Sequence, residues 1–375
     1  MRRYTFIYIC IACLLISCTH TGKQAVFSGE TKVDSLAYAQ GMTIRYNADY
    51  TAVDVRDPWD TTKLLQRYLL VERAKPLPDG MPKGTVIRVP VRKIVVYTSV
   101  HAAILEQLGE VGSIVGVCEP RYMESPVIQT ALKAGHIADL GEATAPNVER
   151  MLEVGAEAII ASPFQNSSFG PVEKLGIPIV QGADYMESLP LGRTEWVKFY
   201  GLLFGKKAMA DSVFHSAEQA YLNLKALTAT VQVRPTVLPE KKYGSSWYMP
   251  GGNSYMAHLF EDAGAHYLFR DIPGEASQPL SFETVFEKAI HADYWLVKYN
   301  QETDMTYREL RQEYTPYANF DAYQNKKVYG CNTGRVPFYE EFPLRPDYLL
   351  KDLVWIFHPE LLPGYTPRYY HPLED

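Results

Sequence analysis

The side chains best placed for chemistry stand at Thr98-Ser99-Val100-His101, directly after the apolar run Ile94-Val95-Val96-Tyr97. Hydroxyls and an imidazole at the end of a buried strand, where the next helix begins, sit at the carboxyl edge of a parallel sheet, and ligands collect at such edges. What they offer is hydrogen bonding, not turnover. The chain has no HExxH, no Gly-x-Ser-x-Gly and no P-loop, and Gly251-Gly252-Asn253 lacks the Lys-Ser/Thr that a phosphate cradle needs. Histidines and cysteines are scattered without metal-ligand spacing, so no cofactor and no resident metal is expected, although loops converging in space could still assemble a cluster.

The corner is held by one βαβ unit. Residues 92–118 read as a buried strand, a helix from Val100 to Leu108 closed by Gly109, and a second apolar strand, Ile114 to Val117. A loop, Glu119 to Met123, follows. Asn147 then caps a helix to Val154, Ala158-Ile159-Ile160-Ala161 forms a strand ending in Ser162-Pro163-Phe164-Gln165, and Gly176 to Val180 forms another. Three or four parallel strands with intervening helices make a first lobe. Glu195 to Ala229 contains no proline and reads as one long helix, with Gly205 as the place for a kink.

A second α/β lobe starts at Thr236-Val237-Leu238 and repeats the first. Gly251 to Ser254 opens a helix, Tyr255 to Phe260, that Gly264 closes, as Gly109 closes its counterpart. Asn147-Val148-Glu149 before Ala158-Ile159-Ile160 is matched by Ser281-Phe282-Glu283 before Trp295-Leu296-Val297. Each has a cap, a first-turn glutamate and a buried strand.

At 375 residues, the chain exceeds what one core usually holds, which agrees with two lobes. Dispersed lysines and arginines and a net charge of -6 argue against a nucleic-acid partner. Tyrosine is abundant, 27 residues concentrated in the second half, and its rigid amphipathic face suits either a large flat ligand or half-buried packing. At the N-terminus, Arg2-Arg3, the apolar stretch Phe6 to Ile16 and then Ser17-Cys18 read as a lipoprotein signal with Cys18 as the lipid attachment site. The expected divisions are signal 1–17, tether 18–32, β-rich extension 33–91, lobe one 92–192, linking helix 193–231 and lobe two 232–375. The extension, with a hairpin at Met42–Tyr46 and Thr51–Val55, is expected to add an antiparallel edge to lobe one. Cys118 and Cys331, one per lobe, read as buried free thiols.

The ordered pieces RKIVVYTSVHAAILEQLGEVGSIVGVC, APNVERMLEVGAEAIIA, TEWVKFYGLLFGKKAMADSVF, GGNSYMAHLFEDAGA, PLSFETVFEKAIHADYWLV, NKKVYG and RPDYLLKDLVWIFHPEL resemble the substrate-binding proteins of bacterial ABC importers for iron complexes and cobalamin. The resemblance runs over roughly residues 92–360. It implies two Rossmann-like α/β lobes joined by one long helix, no enzymatic activity, and capture of a ferric siderophore or haem, or else a corrinoid. It also implies delivery to an ABC permease dimer with its ATPase, from the periplasmic face of a membrane that the protein touches only through its lipid anchor. Rival readings are an accessory surface lipoprotein or an enzyme on the same scaffold.

By position in the family pattern, Glu149 and Glu283 match the residues that dock onto permease arginines; a first-turn glutamate is also simply favourable at a helix N-terminus. The interlobe ligand is expected to touch Thr98, Ser99, His101, Arg121, Tyr122 and Phe164 from lobe one. From lobe two the candidates are Trp247, Tyr248, Lys298, Tyr299 and either Asn332 or Arg335. Trp247-Tyr248 lies in a polar, glycine-rich loop and would stack on a planar ligand. His101 would ligate a metal complex or merely occupy a first helical turn, and Arg121 and Arg335 would pair with anionic groups or remain solvated.

Overall fold

The computed structural model describes residues 32–34 and 36–375. The signal segment and Cys18 lie outside the described residues. No described helix is long and apolar enough to cross a membrane.

Lobe one is built on a five-stranded parallel sheet in the order Ile179–Gln181, Ala158–Ala161, Ile94–Val96, Ile114–Val117, Ala138–Asp139. Its central strand, Ile94–Val96, is fully buried, as a strand covered on both faces must be. Thr98 caps the helix Ser99–Gln107 by accepting a hydrogen bond from the His101 amide, and Gly109 ends that turn at φ +71°. Lobe two carries a second sheet, ordered His266–Tyr267, Thr236–Pro239, Tyr294–Tyr299, Val328–Asn332, His371–Pro372, parallel except for its last strand. The internal repeat takes a concrete form here. The capped helix Val148–Glu153 leads into a strand paired with Ile94–Val96, the first strand of its sheet, and the capped helix Phe282–Ala289 leads into a strand paired with Thr236–Pro239, the first of the other.

The expected single helix from Glu195 to Ala229 is two, Val197–Leu203 and the 22-residue Lys207–Thr228, and a short one, Pro190–Glu195, runs up to it, so the junction is three pieces. Gly205 at φ +67° is the reason for the main break, because a left-handed residue ends an α-helix instead of bending it. The long third piece packs against the C-terminal helix Pro346–Phe357 of lobe two. Thr194, in the first piece, donates from its hydroxyl to the Pro343 carbonyl at 3.0 Å, so the junction touches both lobes.

Residues 32–89 do not extend the lobe-one sheet as an edge. They form their own five-stranded sheet, Lys32–Asp34, Met42–Tyr46, Thr51–Arg56, Leu64–Glu72 and Thr85–Val89, antiparallel except for the last pair. Alternation sets its packing: Val53, Val55, Tyr68 and Leu70 join the core of lobe one with Ile94, Val96, Trp196 and Phe199, while Ala52, Leu69 and Val71 form a small cluster on the other face. The Tyr68 hydroxyl donates to Ile179 O at 3.1 Å and accepts from Gln181 N at 2.7 Å. One phenol therefore covers backbone groups on the free edge of the lobe-one sheet.

Candidate ligand-binding cleft

The carboxyl ends of paired strands from both sheets meet across a cleft of ≈ 570 Å³. Lobe one contributes Tyr97, Thr98 and Ser99 after the strand Ile94–Val96, and Cys118, Glu119 and Arg121 to Glu124 after Ile114–Val117. Lobe two contributes Asn300 after Tyr294–Tyr299, and Thr333, Gly334, Pro337, Tyr339 and Glu340 after Val328–Asn332. A side chain at Gly334 would come within 2.8 Å of Asn300 Oδ1, so these two loops approach closely here. The lobes touch at the rim, where the Glu124 amide donates to Glu340 Oε1 at 2.8 Å.

Of the residues expected to touch ligand, Thr98, Ser99, Arg121 and Tyr122 line this cleft. Tyr122 and Tyr339 are both exposed, one from each lobe. The Arg121 guanidinium lies 4.8 Å from the Tyr122 ring centroid and forks onto Glu142 at 2.8 and 3.0 Å, so an acid already engages its charge.

Other expected contacts are withdrawn. Trp247 is fully buried, packed against Trp295, Tyr317 and Phe320, with its indole N–H donating to Pro239 O at 3.1 Å; it is core, not a stacking platform. The loop that looked too polar to bury an aromatic is a strand, Trp247–Met249, paired with Gln278–Leu280, and pairing turns Trp247 inward and Tyr248 outward, away from the cleft lining. His101 is buried beneath the corner: Nδ1 meets Thr98 Oγ1 at 2.8 Å and Nε2 meets Asp184 Oδ1 at 3.1 Å, leaving no ring nitrogen for a metal. Phe164 is exposed beside Tyr185, outside the lining.

In lobe two, Lys298 is ion-paired with Glu240. Tyr299 and Arg335 line a separate hollow of ≈ 410 Å³, where Arg335 pairs with Asp304 at 2.8 Å. Asn332 is buried and holds the adjoining loop, donating to Gln301 O, Thr303 O and Asp304 Oδ1.

The residues that sequence reasoning missed are mostly acids and their neighbours: Glu119, Glu124, Asn300, Thr333, Tyr339 and Glu340. A signal existed for the last two, since Phe338-Tyr339-Glu340 follows the strand whose loop was already suspected, a few positions beyond Arg335. Glu340 is buried, and desolvation, with Glu124, Glu106 and Glu341 nearby, pushes its carboxyl up to about 7 despite the hydrogen bond from Glu124. Burial, then Glu341, raises Glu124 as well. Desolvation also drives the Cys118 and Cys331 thiols up to about 12, and both are free and buried.

A family model described as periplasmic binding protein matches residues 94–333. The chain belongs to this family. Its resemblance to the iron-complex and cobalamin type holds. An uncharacterized lipoprotein of Methanocaldococcus jannaschii is 28% identical, with 89% of this chain and 84% of the relative covered. A match that long takes in most of the N-terminal sheet, which lies before the family model. Among solved structures, a possible iron-binding periplasmic solute-binding protein of Staphylococcus epidermidis has a TM-score of 0.58 at 18% identity, covering 72% of this chain and 99% of that one. A periplasmic heme-binding protein of Pseudomonas aeruginosa has a TM-score of 0.57 at 17% identity, covering 76% and 99%. These two establish fold alone.

Glu149 and Glu283 are exposed in the first turns of helices capped by Asn147 and Ser281. Glu283 is held below its usual value by hydrogen bonding from its own amide and from Ser281.

Proposed function

We propose that this chain is the lipid-anchored substrate-binding subunit of an ABC importer. It captures an iron complex between its lobes and delivers it to the permease. The observation that carries the reading is the cleft itself: loops at the carboxyl ends of strands from both sheets converge on one space, with Tyr122 and Tyr339 facing it from opposite lobes. A corrinoid is the second reading, favoured by the amides, hydroxyls and rings of the lining over free cations.

In this reading Cys18 carries the lipid and the protein works at the periplasmic face of the membrane. Delivery uses Glu149 and Glu283, whose helices hold equivalent places in the two sheets. The segmented junction, packed on both lobes, favours a small hinge motion on loading over a wide closure. Titration of the purified protein with iron complexes and corrinoids, followed by tryptophan quenching, tests the reading; no binding by any of them would end it.

A further inference from the structure

We propose that the cleft selects metal complexes that are neutral or positively charged and rejects polyanionic ones. The inference rests on the reading of the cleft as the binding site and concerns what enters it. Three carboxyl groups line the space, Glu119 and Glu124 from lobe one and Glu340 from lobe two. None pairs with a cationic side chain among the described residues. The one cation of the lining, Arg121, is engaged by Glu142 in a two-point contact. Around it, Lys298 pairs with Glu240, Arg345 with Asp347 at 2.6 Å and Arg368 with Glu341 at 2.5 Å, while Lys133 and Arg150 line an adjoining hollow and not the cleft itself.

One further feature points to a ligand. Tyr97 also lines the cleft, yet its hydroxyl is buried and has no hydrogen-bond partner among the described residues. A buried phenol without a partner costs free energy that an oxygen-rich ligand would recover.

The ligand chemistry that fits is an uncharged or cationic complex rich in amide or hydroxamate oxygens, with an apolar surface for Tyr122 and Tyr339. A complex bearing several free carboxylates or catecholates would bring its charge against carboxyl groups that no cation pairs with, in a partly desolvated space, and the repulsion is greatest above about pH 7, where Glu340 too is ionised.

The test is equilibrium titration of the full chain, in detergent, with four probes: ferrioxamine B as a monocation, aquocobalamin as a cationic corrinoid, ferric enterobactin as a trianion, and haemin as a dicarboxylate. Binding of one or both cations, with affinity falling as salt rises and neither anion competing, is the expected result. Glu124→Gln with Glu340→Gln should weaken the bound cation about tenfold, and Glu119→Gln alone should weaken it in the same direction, each without loss of thermal stability. Tighter binding of an anion overturns the charge selection and leaves the binding-protein reading standing. Cation binding untouched by all three substitutions also overturns it. Binding of none of the four overturns both.

Discussion

Glu340 is the residue whose chemistry reaches furthest. Its carboxyl is raised from 4.5 to about 7, first by burial and then by Glu124, Glu106 and Glu341, with Arg345 and Arg368 nearby but already paired. At low pH the folded and unfolded chains both hold the proton. As pH rises toward about 7 the unfolded chain releases it and the fold retains it, so stability falls across that window and levels off above it. Glu340→Gln removes the titration while leaving an acceptor for the Glu124 amide. Its melting temperature should therefore exceed wild type at about pH 8 and match it at about pH 4, and an equal change at both values would contradict this account. Trp247 and Tyr122 separate core from cleft. Trp247→Ala should cost about 3–5 kcal/mol in urea unfolding, because three neighbouring aromatic rings lose their packing partner. Tyr122→Ala should leave stability unchanged and weaken ligand binding, since its ring is exposed in the cleft.

At the scale of elements, the N-terminal sheet is tied to the junction between lobes by two buried carboxylates. Glu195 accepts from the amides of Ala37, Tyr38 and Ala39 at 3.0, 2.8 and 2.9 Å and from Lys198 Nζ at 2.7 Å. Glu187 accepts from the amides of Gln40 and Gly41 and from the Trp196 indole. Glu195→Ala would strand three backbone donors, each costing about 1–3 kcal/mol if left buried and unpaired. Amide exchange at residues 37–39 should then accelerate strongly while the sheet of lobe two stays protected; unchanged exchange would mean the carboxylate is not the clamp. This arrangement was illegible in the sequence, because the carboxylates lie some 150 positions from the amides they hold. What was legible was local: the caps at Thr98, Asn147 and Ser281, the apolar run of the central strand, and the closing glycines Gly109 and Gly264. Gly205 was noticed as a kink, yet the apolar positions on either side of it carried the expected helix through. Trp247 failed for the opposite reason. A short strand paired with residues thirty positions on buries an aromatic that its own neighbours cannot.

For the whole molecule, two sheets present their carboxyl ends to one cleft, and the proposed delivery to a permease uses Glu149 and Glu283 on two equivalent helices. Glu149→Ala with Glu283→Ala should abolish ligand uptake in cells carrying the importer while ligand affinity of the purified protein stays intact. Lost affinity would place these residues in folding or binding instead. The sheet order and repeat behind this were readable as two α/β lobes, but the lining of the cleft was not, because it depends on which loops face each other across the gap. The central claim is that a metal complex binds between the lobes. It is tested most directly by tryptophan-quenching titration with ferrioxamine B and aquocobalamin, on the wild type and on Tyr122→Ala with Tyr339→Ala. Saturable one-to-one quenching is expected in the wild type, with binding weakened at least about tenfold in the variant. Saturable binding that the double substitution leaves untouched would put the ligand elsewhere and contradict it.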